Sequence, residues 1–173
     1  MENAKIAGLS ISFQDGFAAR LRRGYVIQVE RFADIQDELH VLHQQHWLET
    51  EGHRHGVGMN PDYAKFLLRE RQGSLLQFTL RKNGELVGNM RMYLNISIHT
   101  QTRYASEDTI FITLGHRGGM TVIALMRFAE RCLLALGIRE IRGNSKLVNN
   151  ADVLMRRLDY TPVAIEFVKF FKD

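Results

Sequence analysis

The sequence predicts a mixed α/β (α+β) domain in which a central sheet is flanked by helices, and three features carry that prediction. Asn83-Gly84 sits between two strand-like runs and demands a tight hairpin. A strand then runs through a glycine turn into a long amphipathic helix, from Glu107 to Leu136. Beyond it, β and α patterns alternate to the end of the chain, and an antiparallel hairpin followed by such alternation gives a mixed sheet. A length of 173 residues, 45% hydrophobic and 24% charged with 2 prolines, fits one globular domain and excludes two large ones.

Residues 1–24 show no sustained period and read as an N-terminal arm, with a short helical turn over residues 17–23 ended by Gly24; residues 25–173 form the domain. Tyr25–Arg31, rich in β-branched and aromatic side chains, predicts a strand. Asp34 caps a helix in which Ile35, Leu39, Leu42, His46 and Trp47 share a face up to Gly52. The glycine-punctuated stretch Gly52–Gly58 is a loop, after which Asn60 and Pro61 start a helix running to Gly73. Leu75–Arg81 and Leu86–Ile98 are the hairpin strands, and Glu107–Leu114 is the next strand. The run Val122, Leu125, Met126, Ala129, Leu133 and Leu136 predicts the long helix, stopped by Gly137. Ile138–Gly143 is a short strand, Asn150–Leu158 a helix, and Val163–Phe171 a last strand.

Ten basic and six acidic residues lie from Gly115 onward, an excess equal to the whole formal charge of +4, so an anionic ligand is sought there first. The single cysteine, Cys132, lies in an apolar helical run, so no intrachain disulfide forms and the thiol is expected in the core. No apolar run approaches the roughly 20 residues that span a bilayer. Lys5, Asp15, Arg20, Arg22 and Arg23 interrupt the N-terminal region where a signal peptide would be apolar, so a cytoplasmic location without membrane contact is expected.

Arg117-Gly118-Gly119-Met120-Thr121-Val122 opens the long helix. A helix entered through glycines leaves its first N–H groups unpaired, and these donors with the helix dipole favour an anion. Arg117 adds a charge able to make forked bonds to phosphate, and Gly118 and Gly119 remove side chains that would hold a diphosphate away. The same residues also suit a plain tight turn with a solvated arginine.

This order of elements and the Arg-x-Gly turn resemble the GNAT N-acetyltransferase superfamily. Glu107-Asp-Thr-Ile-Phe-Ile, His116-Arg-Gly-Gly119, Leu125-Met-Arg-Phe-Ala-Glu130, Leu136-Gly137-Ile138, Leu158-Asp-Tyr160 and His46-Trp-Leu-Glu49 are similar to GNAT-like proteins encoded by tailed bacteriophages. The resemblance runs from about Tyr25 to Phe171. It implies a GNAT-like acyl-CoA N-acyltransferase fold and acetyl-CoA as cosubstrate, with its pyrophosphate on Arg117–Val122. It also implies a pantetheine arm paired with Phe111, Ile112 and Leu114, a further hydrogen bond from Asn149 or Asn150, and direct transfer to an unknown amine acceptor. Glu107 and Asp108 are the candidate bases, and Tyr104 or a water the candidate proton donor. The chain departs from the family pattern at Val122, where a glycine is usual, and at Met155, where a proton-donating tyrosine is common. These departures define the alternative: a GNAT-fold phage protein without catalysis, serving in the virion or binding a phage or host protein. For a phage-encoded enzyme the expected location is the host cytoplasm.

His40, His43 and His46 recur every three residues and spread over about 120° of a helix, too broad for one ion, so no metal is expected. Some of them are expected along the acceptor cleft. Arg20, Arg22, Arg23, Arg69, Arg71, Arg139, Arg142, Arg156 and Arg157 are scattered without interleaved aromatics, which favours a solvated face over a nucleic-acid groove. The oligomeric state is not encoded in any pattern of the sequence.

Overall fold

The computed structural model describes residues 4–6, 9–11, 18–52, 58–118, 120–145 and 151–169. Strands β1 (Ala4–Ile6) and β2 (Leu9–Ile11) pair antiparallel with each other. The main sheet has six strands in chain order: β3 (Ala18–Arg20), β4 (Tyr25–Glu30), β5 (Leu75–Lys82), β6 (Glu85–Ile96), β7 (Arg103–Ile112) and β8 (Glu140–Arg142). All neighbours are antiparallel except β7 and β8, which are parallel. The mixed sheet flanked by helices is the architecture expected from the sequence.

Helices α1 (Phe32–His46) and α2 (Tyr63–Arg71) cover one face, with Phe32, Ile35, Leu39 and Leu42 packed on Leu75, Leu86 and Phe111. Helices α3 (Thr121–Ala135) and α4 (Ala151–Arg157) cover the other. There Leu125, Met126, Phe128, Ala129, Cys132 and Leu133 meet Phe78, Leu80, Met90 and Met92, and Phe78 and Phe128 pack edge to face at 6.2 Å. Each such fully buried side chain stabilises the fold by roughly 1.5–3 kcal/mol. Cys132 is buried as expected, and burial pushes its thiol up to about 11.

Several boundaries move for identifiable reasons. Residues 18–20 pair with Val26–Gln28 of β4, and a 3-10 turn follows at Arg22–Gly24, in place of the expected helical turn. α1 starts at Phe32, two residues before Asp34, because Glu70 of α2 accepts the N–H groups of Phe32 and Ala33 and so caps it from across the fold. α2 starts later than Asn60-Pro61 because Asp62 is the cap, its carboxylate accepting Lys65 N–H at 3.1 Å. The Asn83-Gly84 turn takes the positive φ values of 50° and 93° that the hairpin requires. Gly137, at φ 80°, ends α3. Residues 163–169, expected in a last strand, pair with no described strand; Phe170 and Phe171 lie outside the described residues. No described helix is long and apolar enough to cross a membrane.

Candidate active site

The site is built where β7 leaves β8. The parallel pair is joined only at Tyr104–Ser106 against Glu140–Arg142, while β7 continues to Ile112. Just past β8 the link is a side chain, with Glu107 Oε2 accepting the Asn144 N–H at 3.0 Å. Beyond Ser106, therefore, no described strand lies along the β8-facing edge of β7, the kind of edge that offers backbone groups to an extended ligand.

A bulge in β7 decides which way the two candidate carboxylates point. Met92 pairs with Glu107 and Arg91 with Thr109, leaving Asp108 as the inserted residue. Glu107 thus shares the α3/α4 face with buried Met92, whereas Asp108 joins Thr109 and Arg91 on the α1/α2 face. Asp108 Oδ2 takes both Nε (2.8 Å) and Nη2 (2.6 Å) of Arg91, a guanidinium 5% exposed that also lies 4.0 Å over the Phe66 ring.

Arg91 leads into a buried chain of polar groups. Its Nη1 donates to His43 Nε2 at 3.2 Å, so that nitrogen carries the lone pair and Nδ1 faces the Tyr63 hydroxyl at 3.2 Å. Tyr63 in turn meets His40 Nδ1 at 2.8 Å. Burial first, and the Arg91 charge second, push the His43 imidazole down to about 3, so it is neutral at physiological pH. Next along α1, His46 Nδ1 meets the Thr109 hydroxyl at 3.0 Å and its ring stacks on Phe111. His43 and His46 therefore lie on the α1/α2 face beside Arg91 and Thr109, the face that also carries Asp108. Arginine does not deprotonate, so the chain orients Asp108 without carrying protons to it. Burial and the Asp108 carboxylate push the Tyr93 phenol on the same face up to about 12.

At the far end of β7 the chain passes through a 3-10 turn, Leu114–His116, into α3. β7 ends at Phe111 and Ile112, short of the expected end at Leu114, because the chain turns there into the 3-10 turn on which Leu114 is exposed. Gly118 adopts φ 100°, and a side-chain carbon built on it meets nothing within 4 Å. Thr121 closes the turn, its hydroxyl donating to the carbonyls of His116 and Gly118. Met120 is exposed, and Val122 packs against the core under α3 rather than over the turn. The space outside Gly118 is open, beside the N–H groups that begin α3, and donors of that kind favour an anion. Gly119, Asn149 and Asn150 lie outside the described residues.

Arg117 is placed differently from a phosphate clamp. Its Nη1 and Nη2 donate to the two oxygens of Glu49 at 2.6 Å each, its Nε donates to the Ile112 carbonyl at 2.5 Å, and it lies over the Phe111 ring. Glu49 belongs to a π turn, Trp47–Glu51, that extends α1. The pair ties the α1 wall to the strand-to-helix turn.

Tyr104 stacks under Arg142 near the start of β7, where β7 and β8 are still paired, and Met155 is buried beside Gly143 in the core. Arg91 and Tyr63 carry no motif; their only sequence signal is a charge inside an apolar strand and a tyrosine on an apolar helix face. Among the described residues, no group of three or more His, Cys, Asp or Glu could hold a metal ion.

No protein-family model matches the sequence, and no curated protein sequence matches it. Solved structures do. A ribosomal-protein-alanine N-acetyltransferase from Brucella melitensis biovar Abortus is 19% identical, over 86% of this chain and 99% of that one, with a TM-score of 0.66. An aminoglycoside acetyltransferase from an uncultured soil metagenomic sample, solved with trehalose, is 13% identical over 89% and 99%, at 0.68. A predicted acetyltransferase from Clostridium acetobutylicum, solved with acetyl-CoA, is 12% identical over 85% and 96%, at 0.63. The chain has the fold of the GNAT acetyltransferases.

Proposed function

We propose that this protein is an acetyl-CoA-dependent N-acetyltransferase that acts on a small or protein-borne amine by direct transfer. The observation that supports it best is that, among the described residues, no strand pairs with the β8-facing edge of β7 beyond Ser106, an edge that leads into the open Gly118 turn at the mouth of α3. The edge at Phe111 and Ile112 would pair with a pantetheine arm, and the first-turn N–H groups of α3 from Met120 to Val122 would hold the diphosphate. Acetyl-CoA, when bound, supplies an activated acetyl thioester.

The chain's own groups supply orientation and proton transfer. Asp108, fixed in place by Arg91 on the α1/α2 face, takes a proton from the acceptor ammonium through water. Glu107 tethers the chain after β8 to β7 by accepting the Asn144 N–H. His43, His46 and Tyr63 form the wall against which the acceptor sits.

A second reading is a phage protein of this fold without catalysis, working in the virion or on a protein partner. Two observations favour it: Arg117 is engaged with Glu49, and Met155 stands in the core in place of a proton donor. Calorimetry with acetyl-CoA separates the two. Saturable binding that Gly118→Val abolishes, with acetylation of an amine panel slowed by Asp108→Asn, supports the enzyme. Absence of binding at millimolar acetyl-CoA overturns it, and co-sedimentation with phage particles at fixed stoichiometry then establishes the second.

A further inference from the structure

We infer, on the basis of the transfer proposed above, that the acceptor is a small amine carrying its own carboxylate, an amino acid, whose carboxylate is held by Arg69 over Tyr93 while Asp108 receives the amine.

Tyr63, Phe66, Arg69 and Glu70 fall at three-to-four spacing along α2 and so share the side that meets the sheet. Tyr63 and Phe66 pack into the apolar cluster there, and Tyr93 of β6 packs with them. Arg91 and Tyr93, two residues apart on β6, stand on the same face of the pleat, and Arg91 fixes Asp108. Asp108 lies beside the Tyr93 phenol, and Arg69 lies over the ring of the same tyrosine, its Cζ 4.5 Å from the centroid. One half-buried phenol thus has an anion beside it and a cation on its face.

Both charges retain bonding capacity. The two Arg91 bonds fall on Asp108 Oδ2, so Oδ1 keeps lone pairs for another donor. Arg69 is exposed, and among the described residues no carboxylate pairs with it; the adjacent Glu70 is turned to the N–H groups of Phe32 and Ala33. A guanidinium stacked by its face leaves its in-plane N–H donors free, and these match a carboxylate two at a time. An amino acid offers an ammonium and a carboxylate that complement Asp108 and Arg69. A second positive charge on the acceptor would instead meet Arg69 as a like charge, which disfavours polycationic amines. In the transfer the ammonium gives one proton to Asp108 through water, the nitrogen bonds the acetyl carbon as the carbon–sulfur bond breaks, and a second proton leaves with the CoA thiol.

Initial rates of the full chain with saturating acetyl-CoA, measured on amino acids, their primary amides and the matching decarboxylated amines, test this. The expected result is a kcat/KM for at least one amino acid on the order of tenfold or more above that for its amide. Arg69→Met keeps an unbranched stem over Tyr93 but no charge. It should raise the KM for that amino acid on the order of tenfold, with a much smaller change in kcat, and so erase the preference over the amide; Arg69→Lys should recover part of the loss. Amides or simple amines used as well as amino acids overturn the inference, as does an amino-acid KM that Arg69→Met leaves unmoved. Acetyl-CoA bound without acetylation of any carboxylate-bearing amine overturns it while the proposed transfer stands; absence of acetyl-CoA binding overturns both.

Discussion

Arg117 and Glu49, 68 residues apart, meet through two parallel 2.6 Å hydrogen bonds that bridge the end of α1 and the entrance to α3. The Arg117 hydrogen bonds hold the Glu49 carboxyl below its ordinary range of about 4.5. A group depressed on folding stabilises the fold above its unfolded pKa, and that contribution is lost as pH falls through the folded value. Both side chains are partly exposed, so solvent screens the pair and a double-mutant cycle with Glu49→Gln and Arg117→Met should give a coupling of about 1 kcal/mol. Urea unfolding at pH 7 should show it, 1 M salt should shrink it, and it should vanish once the carboxyl is protonated.

Gly118 and Gly115 make a controlled comparison within one turn. A side-chain carbon meets nothing within 4 Å at either position, but only Gly118 has a positive φ, of 100°. Gly118→Ala should therefore cost about 1 kcal/mol from backbone strain alone. Gly115→Ala should be neutral or slightly stabilising, because it only restricts the unfolded chain. Equal denaturation midpoints for the two variants would contradict the assigned conformation of the turn.

What the sequence makes legible is what short-range chemistry decides. Asn83-Gly84 specifies a turn whatever surrounds it, and Gly137 after an apolar helical run marks a stop. The strand, glycine turn and helix from Glu107 to Leu136 are visible for the same reason. Glu107 and Asp108 alternate faces as neighbours in any strand do, but the inserted residue puts Asp108 on the same face as Thr109 and sends Glu107 to the other, and no local pattern announces a bulge. Arg117 is legible as a cation at a helix mouth but not as the partner of Glu49, because that contact is made by tertiary packing. Glu70 likewise displaces the expected cap Asp34 from a different helix. The strand expected at Val163–Phe171 is not formed by residues 163–169, because an alternating pattern does not by itself supply a pairing neighbour.

His43 should govern part of the acid sensitivity of the fold. Its pKa falls on folding from the ordinary 6.5 to about 3, through burial and the Arg91 charge. The unfolded chain therefore binds this proton more readily, and stability declines as pH drops from about 6.5 toward about 3. His43→Gln keeps an acceptor for Arg91 and a donor for Tyr63 but has no proton to gain. The pH dependence of its urea midpoint should be flatter in that window than for the wild type. Histidine resonances followed by NMR should show His43 untitrated at pH 5; a midpoint near 6.5 would refute the buried neutral assignment.

Asp108 and Arg91 allow structure and chemistry to be separated. Removing one partner of a buried pair leaves the other charge uncompensated, so Asp108→Asn should destabilise by about 3 kcal/mol in urea unfolding. Arg91→Met frees Asp108 from its guanidinium while giving the buried arginine site an apolar side chain of similar reach, and should cost less. Under the proposed reaction the two differ again. Asp108→Asn removes the base, lowering kcat on the order of 100-fold or more at every pH. Arg91→Met keeps the carboxylate but releases it from the two hydrogen bonds that fix its position, so its rate loss should be smaller than that of Asp108→Asn. Two variants with equal rate losses would mean that Asp108 acts only through packing, and the base would have to be sought elsewhere along β7.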